Sequence, residues 1–251
     1  MGLTAVIAFL ATAVLGRILI PLLRKLKFGQ TVRDNGPQSH LVKMGIPTMG
    51  GLMFLIPVIV LFLIFNRFNF DSIVISLTVL FYALIGFLDD FIKIRKKSKD
   101  GLSVLQKSIG LLLVSGFFSV YFVYFSGIGT DIIIPFSQME QSLIIPKLLY
   151  VVILIITLYL TTNAVNLTDG VDGLASSVTT VVLMLFLFIG YSHADNQIIS
   201  YLCLASIGGL MAFLLYNAYP AKVIMGDTGS MTLGAIVTIS AIYLKIPWII
   251  L

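Results

Sequence analysis

The feature that most limits what this chain can fold into is the recurrence of apolar runs. They fall near 2–23, 49–65, 72–88, 108–126, 148–162, 174–191, 197–216 and 231–246, with polar connections between them. Helices of about this length span a hydrocarbon layer of roughly 30 Å. Charged residues make up only 11% of the 251 positions and hydrophobic ones 59%, where a soluble domain carries about a quarter charged. The expected fold is an all-α polytopic membrane protein of about eight transmembrane helices. A ninth apolar run begins in Ile246–Leu251. The first run lacks a basic leader and is followed by Arg24, Lys25 and Lys27, which marks a retained span. No second domain or internal repeat is evident, so residues 1–251 are read as one membrane domain.

The net charge of +5 does not point to nucleic acid, because the bases are segregated by loop. Alternation places 24–48, 89–107, 163–173 and 217–230 on one side, with twelve lysines and arginines, against Arg67, Lys147 and Lys245 on the other. Positive charge stays inside. These four loops are expected to be cytoplasmic and the N-terminus outside. Arg17 lies within the first span and snorkels; Arg95, Lys96, Lys97 and Lys99 are topological and face lipid headgroups. On the outer side, Asp131–Phe136 and Leu143–Pro146 flank a polar turn and predict a small β-hairpin. Cys203 sits in an apolar run as packing filler. The two histidines, His40 and His193, are expected to be solvated.

The densest polar stretch is Asn163-Ala-Val-Asn-Leu-Thr-Asp-Gly-Val-Asp-Gly173, set between two apolar runs. It predicts a loop at the bilayer surface that presents Asp169 and Asp172. Capping of the following helix explains one acid but not the pair. Of eleven acids, five stand at the inner ends of spans: Asp89, Asp90, Asp169, Asp172 and Asp227. Adjacent carboxylates repel and call for a cation. Magnesium takes oxygen ligands, commonly one or two carboxylates plus substrate phosphates. Gly226-Asp-Thr-Gly-Ser230 ahead of a helix offers backbone N–H groups to an anion, and Lys43, Lys107 and Lys222 stand near loop ends to hold phosphate charge. The pattern is a metal-dependent site for phosphates at the cytosolic face. The plainer alternative makes Asp227 and Ser230 caps and Asp89 and Asp90 the end of the third span.

Four stretches resemble the polyprenyl-phosphate N-acetylhexosamine-1-phosphate transferase family: Lys43-Met-Gly-Ile-Pro-Thr-Met-Gly-Gly51, Gly86-Phe-Leu-Asp-Asp-Phe-Ile-Lys93, Asn163 to Gly173, and Asn217-Ala-Tyr-Pro-Ala-Lys-Val-Ile-Met-Gly-Asp-Thr-Gly-Ser230. They occur in the family's order. The resemblance implies Mg²⁺-dependent transfer of a phosphosugar from a UDP carrier to undecaprenyl phosphate, with release of UMP, in the bacterial cytoplasmic membrane. The wording of the first and last stretches implies UDP-N-acetylmuramoyl-pentapeptide as donor; relatives that use UDP-N-acetylglucosamine usually read Pro-Arg-x-Gly-Gly.

By position, the resemblance makes Asp89, Asp90 and Asp227 the catalytic acids, with Asp227 a metal ligand and Asn166 able to complete the metal shell. It places Lys43, Asn166 and Asp169 around the nucleoside and Lys93, Lys107 and Asn217 near the diphosphate. Thr48, Asn163 and Asp172 belong to the same matching stretches and are expected on the substrate side. Direct attack and a covalent intermediate both remain open at this stage. Ile224 stands where the family usually has an aromatic thought to stack on uracil, and Ile46 where it usually has Thr. The family has about ten spans and a His-rich loop after the ninth, so a C-terminally truncated chain is expected. A lipid groove and a homodimer through apolar faces are implied by analogy. A proton or ion transporter would need acids in mid-span, which are absent; an inactive relic of the family is the remaining alternative.

Overall fold

A computed structural model describes residues 1–26, 45–96, 98, 100–134, 142–192 and 197–250. Its helices are α1 (Gly2–Lys25), α2 (Leu52–Phe65), α3 (Phe70–Lys96), α4 (Val104–Phe125), α5 (Lys147–Thr168), α6 (Leu174–Ser192), α7 (Gln197–Asn217) and α8 (Gly226–Tyr243). Strands β1 (Asp131–Ile133) and β2 (Ser142–Ile144) lie between α4 and α5. Each expected apolar run is a helix. Among the described residues, six of the eight are long and apolar enough to cross a membrane: α1, α3, α4, α5, α6 and α7. The expectation of eight spans is therefore met only to that extent. Helix α2 has 14 residues, and α8 carries Gly, Thr and Ser throughout.

The packing inverts the soluble pattern. On α1 the buried positions are Thr4, Ala8, Thr12, Gly16, Ile20 and Leu23, while Leu3, Val6, Leu10, Val14 and Ile18 are exposed. Small and hydroxyl side chains face the neighbour and large apolar ones face outward, as when lipid is the solvent. Helix α1 packs on α7, and the Tyr216 hydroxyl donates to the Ala13 carbonyl at 2.7 Å.

Helix α8 is the centre of the bundle, packed chiefly between α3 and α5. Every one of its residues is buried except Asp227. A helix enclosed by protein can carry hydroxyls if these are satisfied locally. Thr232 donates to the Thr228 carbonyl at 2.7 Å and Thr238 to the Gly234 carbonyl at 2.8 Å.

Three helices outlast their apolar runs, and this corrects the loop assignments. Helix α3 continues to Lys96, so Asp89 and Asp90 lie nearly two turns inside it and do not terminate it. Helix α5 continues to Thr168, which shrinks the expected 163–173 loop to Asp169–Gly173. Its polar last turns are tied back along the helix: the Asn163 amide donates to the Tyr159 carbonyl at 2.7 Å and Thr168 to that of Ala164 at 2.8 Å. Helix α8 begins at Gly226, which puts Asp227 in its first turn.

The two strands pair antiparallel, Asp131 opposite Ile144, and are shorter than the sequence suggests. They are fastened to the far end of α8. Lys245 donates to both Asp131 carboxylate oxygens at 2.8 and 2.9 Å, and its carbonyl accepts the Ile133 N–H at 2.9 Å. The Trp248 indole donates to the Ile133 carbonyl at 2.8 Å. Where a ninth run was expected, Pro247–Ile250 form a 3₁₀ turn.

Candidate active site

The site is built around the N-terminus of α8. Two motifs far apart in sequence are joined there by backbone hydrogen bonds. The Ile224 N–H donates to the Pro47 carbonyl at 2.8 Å, and the Gly50 and Gly51 N–H groups donate to the Ile224 and Met225 carbonyls at 2.9 Å each. Ile224 is buried with its backbone engaged on both sides. It offers no open stacking face.

Asn217 is buried too. Its amide oxygen accepts the Gly173 N–H and the Ser176 hydroxyl, both at 3.2 Å, and its amide nitrogen donates to the Val223 carbonyl at 3.1 Å. Asp172 accepts the Ala221 N–H at 3.1 Å. Both residues tie the 169–173 turn to the 218–225 segment. From this buried position Asn217 holds the backbone of the turn in place.

Asp89 and Asp90 diverge from adjacent positions on α3. Asp89 accepts the Leu102 N–H at 2.8 Å and pairs with Lys93 at 2.5 Å. Asp90 turns to α8 and accepts the N–H of Asp227 at 3.2 Å, the N–H of Thr228 at 3.0 Å and the Thr228 hydroxyl at 2.8 Å. The approach of the helices depends on Gly86, where a Cβ would run into the Asp227 carbonyl and the Thr228 nitrogen. Gly226 enters α8 at φ +75°, and a Cβ there would meet the Asp90 carboxylate and the Thr48 hydroxyl. Repulsion within the Asp pair is therefore relieved by lysine and by backbone N–H groups.

Asp227 is the partly open member of the three. Its carboxylate accepts Lys107 at 2.7 Å and Lys93 at 3.3 Å, with 17% of the side chain exposed. Burial on its own would raise this carboxyl. Contact with Asp89 and the charges of Lys93 and Lys107 outweigh it and hold Asp227 well below the usual carboxylate range. One oxygen from each of Asp89, Asp90 and Asp227 can be chosen so that all lie within 4.8 Å of one another, and carboxylate oxygens suit a hard divalent cation. Asn166 reaches the same turn, donating its amide to the Ser230 hydroxyl at 2.8 Å.

Beside the acids opens a cleft of about 670 Å³ between the inner ends of α3, α4 and α5. Asp89, Lys93, Lys107, Tyr159 and Asn163 are among the residues that line it. A larger hollow of about 830 Å³ lies at the opposite end, lined by Ile64, Asn66, Arg67, Gln197 and Tyr201. Among the described residues none that lines it is a carboxylate, and the acid cluster adjoins the smaller cleft.

The structure thus brings together Asp89, Asp90, Asp227, Lys93, Lys107, Asn166 and Thr48, and places Asn163 on the cleft wall. Asp169 caps the end of α5. Lys43 lies outside the described residues, as do His40 and His193. Sequence reasoning missed Tyr159, whose hydroxyl meets that of Ser108 at 2.9 Å on the cleft wall. Its position four residues before Asn163, on the same helical face, was the available signal. Also missed was the capping box of Ser103 and Gln106, which starts α4 and sets Lys107 one turn in.

A family model described as glycosyl transferase family 4 matches residues 72–245. A phospho-N-acetylmuramoyl-pentapeptide-transferase of Acetivibrio thermocellus is 45% identical over 246 residues, covering 98% of this chain and 74% of the relative. One from Clostridium botulinum is 46% identical over 97% of the chain and 74% of the relative, and one from Clostridioides difficile 43% over 93% and 72%.

Proposed function

We propose a function from the premise that this chain belongs to glycosyl transferase family 4 and, within it, to the phospho-N-acetylmuramoyl-pentapeptide-transferases. It transfers phospho-N-acetylmuramoyl-pentapeptide from its UDP carrier to undecaprenyl phosphate, a membrane step of peptidoglycan synthesis. The observation that carries this is the Asp227 cluster: three acids and two lysines at the mouth of a cleft, on a helix end otherwise sealed. The positive charge of the loops at that end supports a cytoplasmic site, where a nucleotide donor is found.

An oxygen of the acceptor phosphate bonds to the sugar-bearing phosphorus of the donor, and the bond to the bridging oxygen breaks, so that UMP leaves. A phosphate monoester is already anionic near neutral pH. The site therefore needs to position and neutralise charge more than to remove a proton, and direct attack follows. Lys107 and Lys93, now held on Asp227, are the cations that reach the diphosphate. The donor set fits Mg²⁺, which the partly open Asp227 would hold, with the Asn166 amide oxygen able to complete its shell. Bound there, the ion would offset charge on the leaving phosphate. Asp89 holds Lys93 and the turn before α4. Thr48, Asn163, Asp169, Asp172 and Asn217 shape or support the nucleotide side.

The test is UMP release by the purified protein in detergent with each substrate omitted in turn. The proposal expects release only with both substrates and Mg²⁺, and a lipid product that carries the pentapeptide. Equal or faster turnover of UDP-N-acetylglucosamine would overturn the donor assignment, and release without the lipid acceptor would overturn the transfer itself.

A further inference from the structure

The first turn of α8 has an unusual cap. The first N–H groups of a helix have no partner within it, and they are commonly met by the side chain of the preceding residue. Here that residue is Met225, whose side chain makes no capping bond. The cap comes from another helix. Both carboxylate oxygens of Asp90 are directed to α8, one to the Asp227 N–H and the other to the N–H and hydroxyl of Thr228. Asp90 is 4% exposed and Thr228 is fully buried. A carboxylate at a helix N-terminus also meets the positive end of the helix dipole.

Resting on the function proposed above, we infer that Asp90 is a positioning residue: it caps α8 across the helix interface and so fixes Asp227, touching neither metal nor substrate. Of the adjacent acids, Asp90 sets the start of α8, while Asp89, through the Leu102 N–H, sets the start of α4. The two starts deliver Asp227 and Lys107 to each other at 2.7 Å. The Gly86 contact is part of the same joint, since it lets the α8 backbone come within reach of the cap.

The test compares the wild-type protein with Asp90→Asn and Thr228→Val, in detergent. Amide hydrogen exchange is followed in the 225–231 segment without metal, and Mn²⁺ binding is titrated without substrate. Positioning predicts that Asp90→Asn speeds exchange in that segment by ~10-fold or more, the scale of one lost charge-assisted bond, and leaves the middle of α5 unchanged. Thr228→Val does the same more weakly. Both weaken Mn²⁺ binding, although the Thr228 hydroxyl is sealed from any ion. Residual turnover keeps the wild-type pH profile. If Asp90 were itself the ligand, Thr228→Val would free its carboxylate and leave Mn²⁺ binding equal or tighter. If it were the base, Asp90→Asn would flatten one limb of the pH profile with exchange unaltered. Either result overturns the inference. Exchange can be read whether or not the wild-type protein turns over, so a failure of the proposed function is told apart from a failure of the cap.

Discussion

The two ends of α8 each carry an Asp–Lys pair at nearly the same distance, Asp227 with Lys107 at 2.7 Å and Asp131 with Lys245 at 2.8 Å. At the far end Lys245 binds both oxygens of one acid, and its carbonyl and the Trp248 indole close the strands over it. That pair is a clasp, consumed by structure. At the near end two lysines converge on one carboxylate oxygen, with two more acids within reach and a cleft alongside. Such an excess of charge makes no sense as a clasp, for which one lysine would do. It fits a place where a polyanion and a cation arrive together. What separates site from staple is thus the number of charges and the space beside them, since the contact distance is shared.

Substitutions can break this contrast. The largest effect is expected for Asp227→Asn, which removes the one partly open acid of the cluster and should lower turnover by ~10³-fold, measured as UMP release. Lys107→Ala should cost ~10- to 100-fold in kcat/KM, because one charge-assisted contact to phosphate is lost and the Asp227 charge is left less balanced. Gly86→Ala acts by backbone displacement. With no room for a Cβ, it should destabilise the protein by about 1–3 kcal/mol and lower the melting temperature and turnover together. The smallest effect belongs to the clasp. Asp131→Asn should leave turnover within ~2-fold and cost at most about 1 kcal/mol, as expected of a partly exposed ion pair. A large loss of turnover on cutting the clasp would erase the distinction.

Much of this was legible in the sequence, and the rest was hidden for identifiable reasons. Apolar runs gave the helices because lipid-exposed backbone must bond within itself. Their ends were misplaced where polar residues continue a helix, as in Asn163–Thr168 and Asp89–Lys96, since hydropathy reads the membrane and not the hydrogen bonds. The acids were legible as a group because five of them stand at span ends. Their division of labour was not. That Asp90 caps a helix 137 residues away, and that Asn217 spends its amide on Gly173, Ser176 and Val223, are facts of packing that no local pattern carries. Ile224 shows the same limit, since its burial follows from pairing with Pro47 and Gly50, far away in the chain.

The most direct test of the central claim is a Mn²⁺ titration of the purified protein beside Asp227→Asn and Asp131→Asn. The account predicts one site in the wild-type protein, lost in Asp227→Asn and kept in Asp131→Asn. Binding that survives in Asp227→Asn, or that falls equally in both variants, would contradict it.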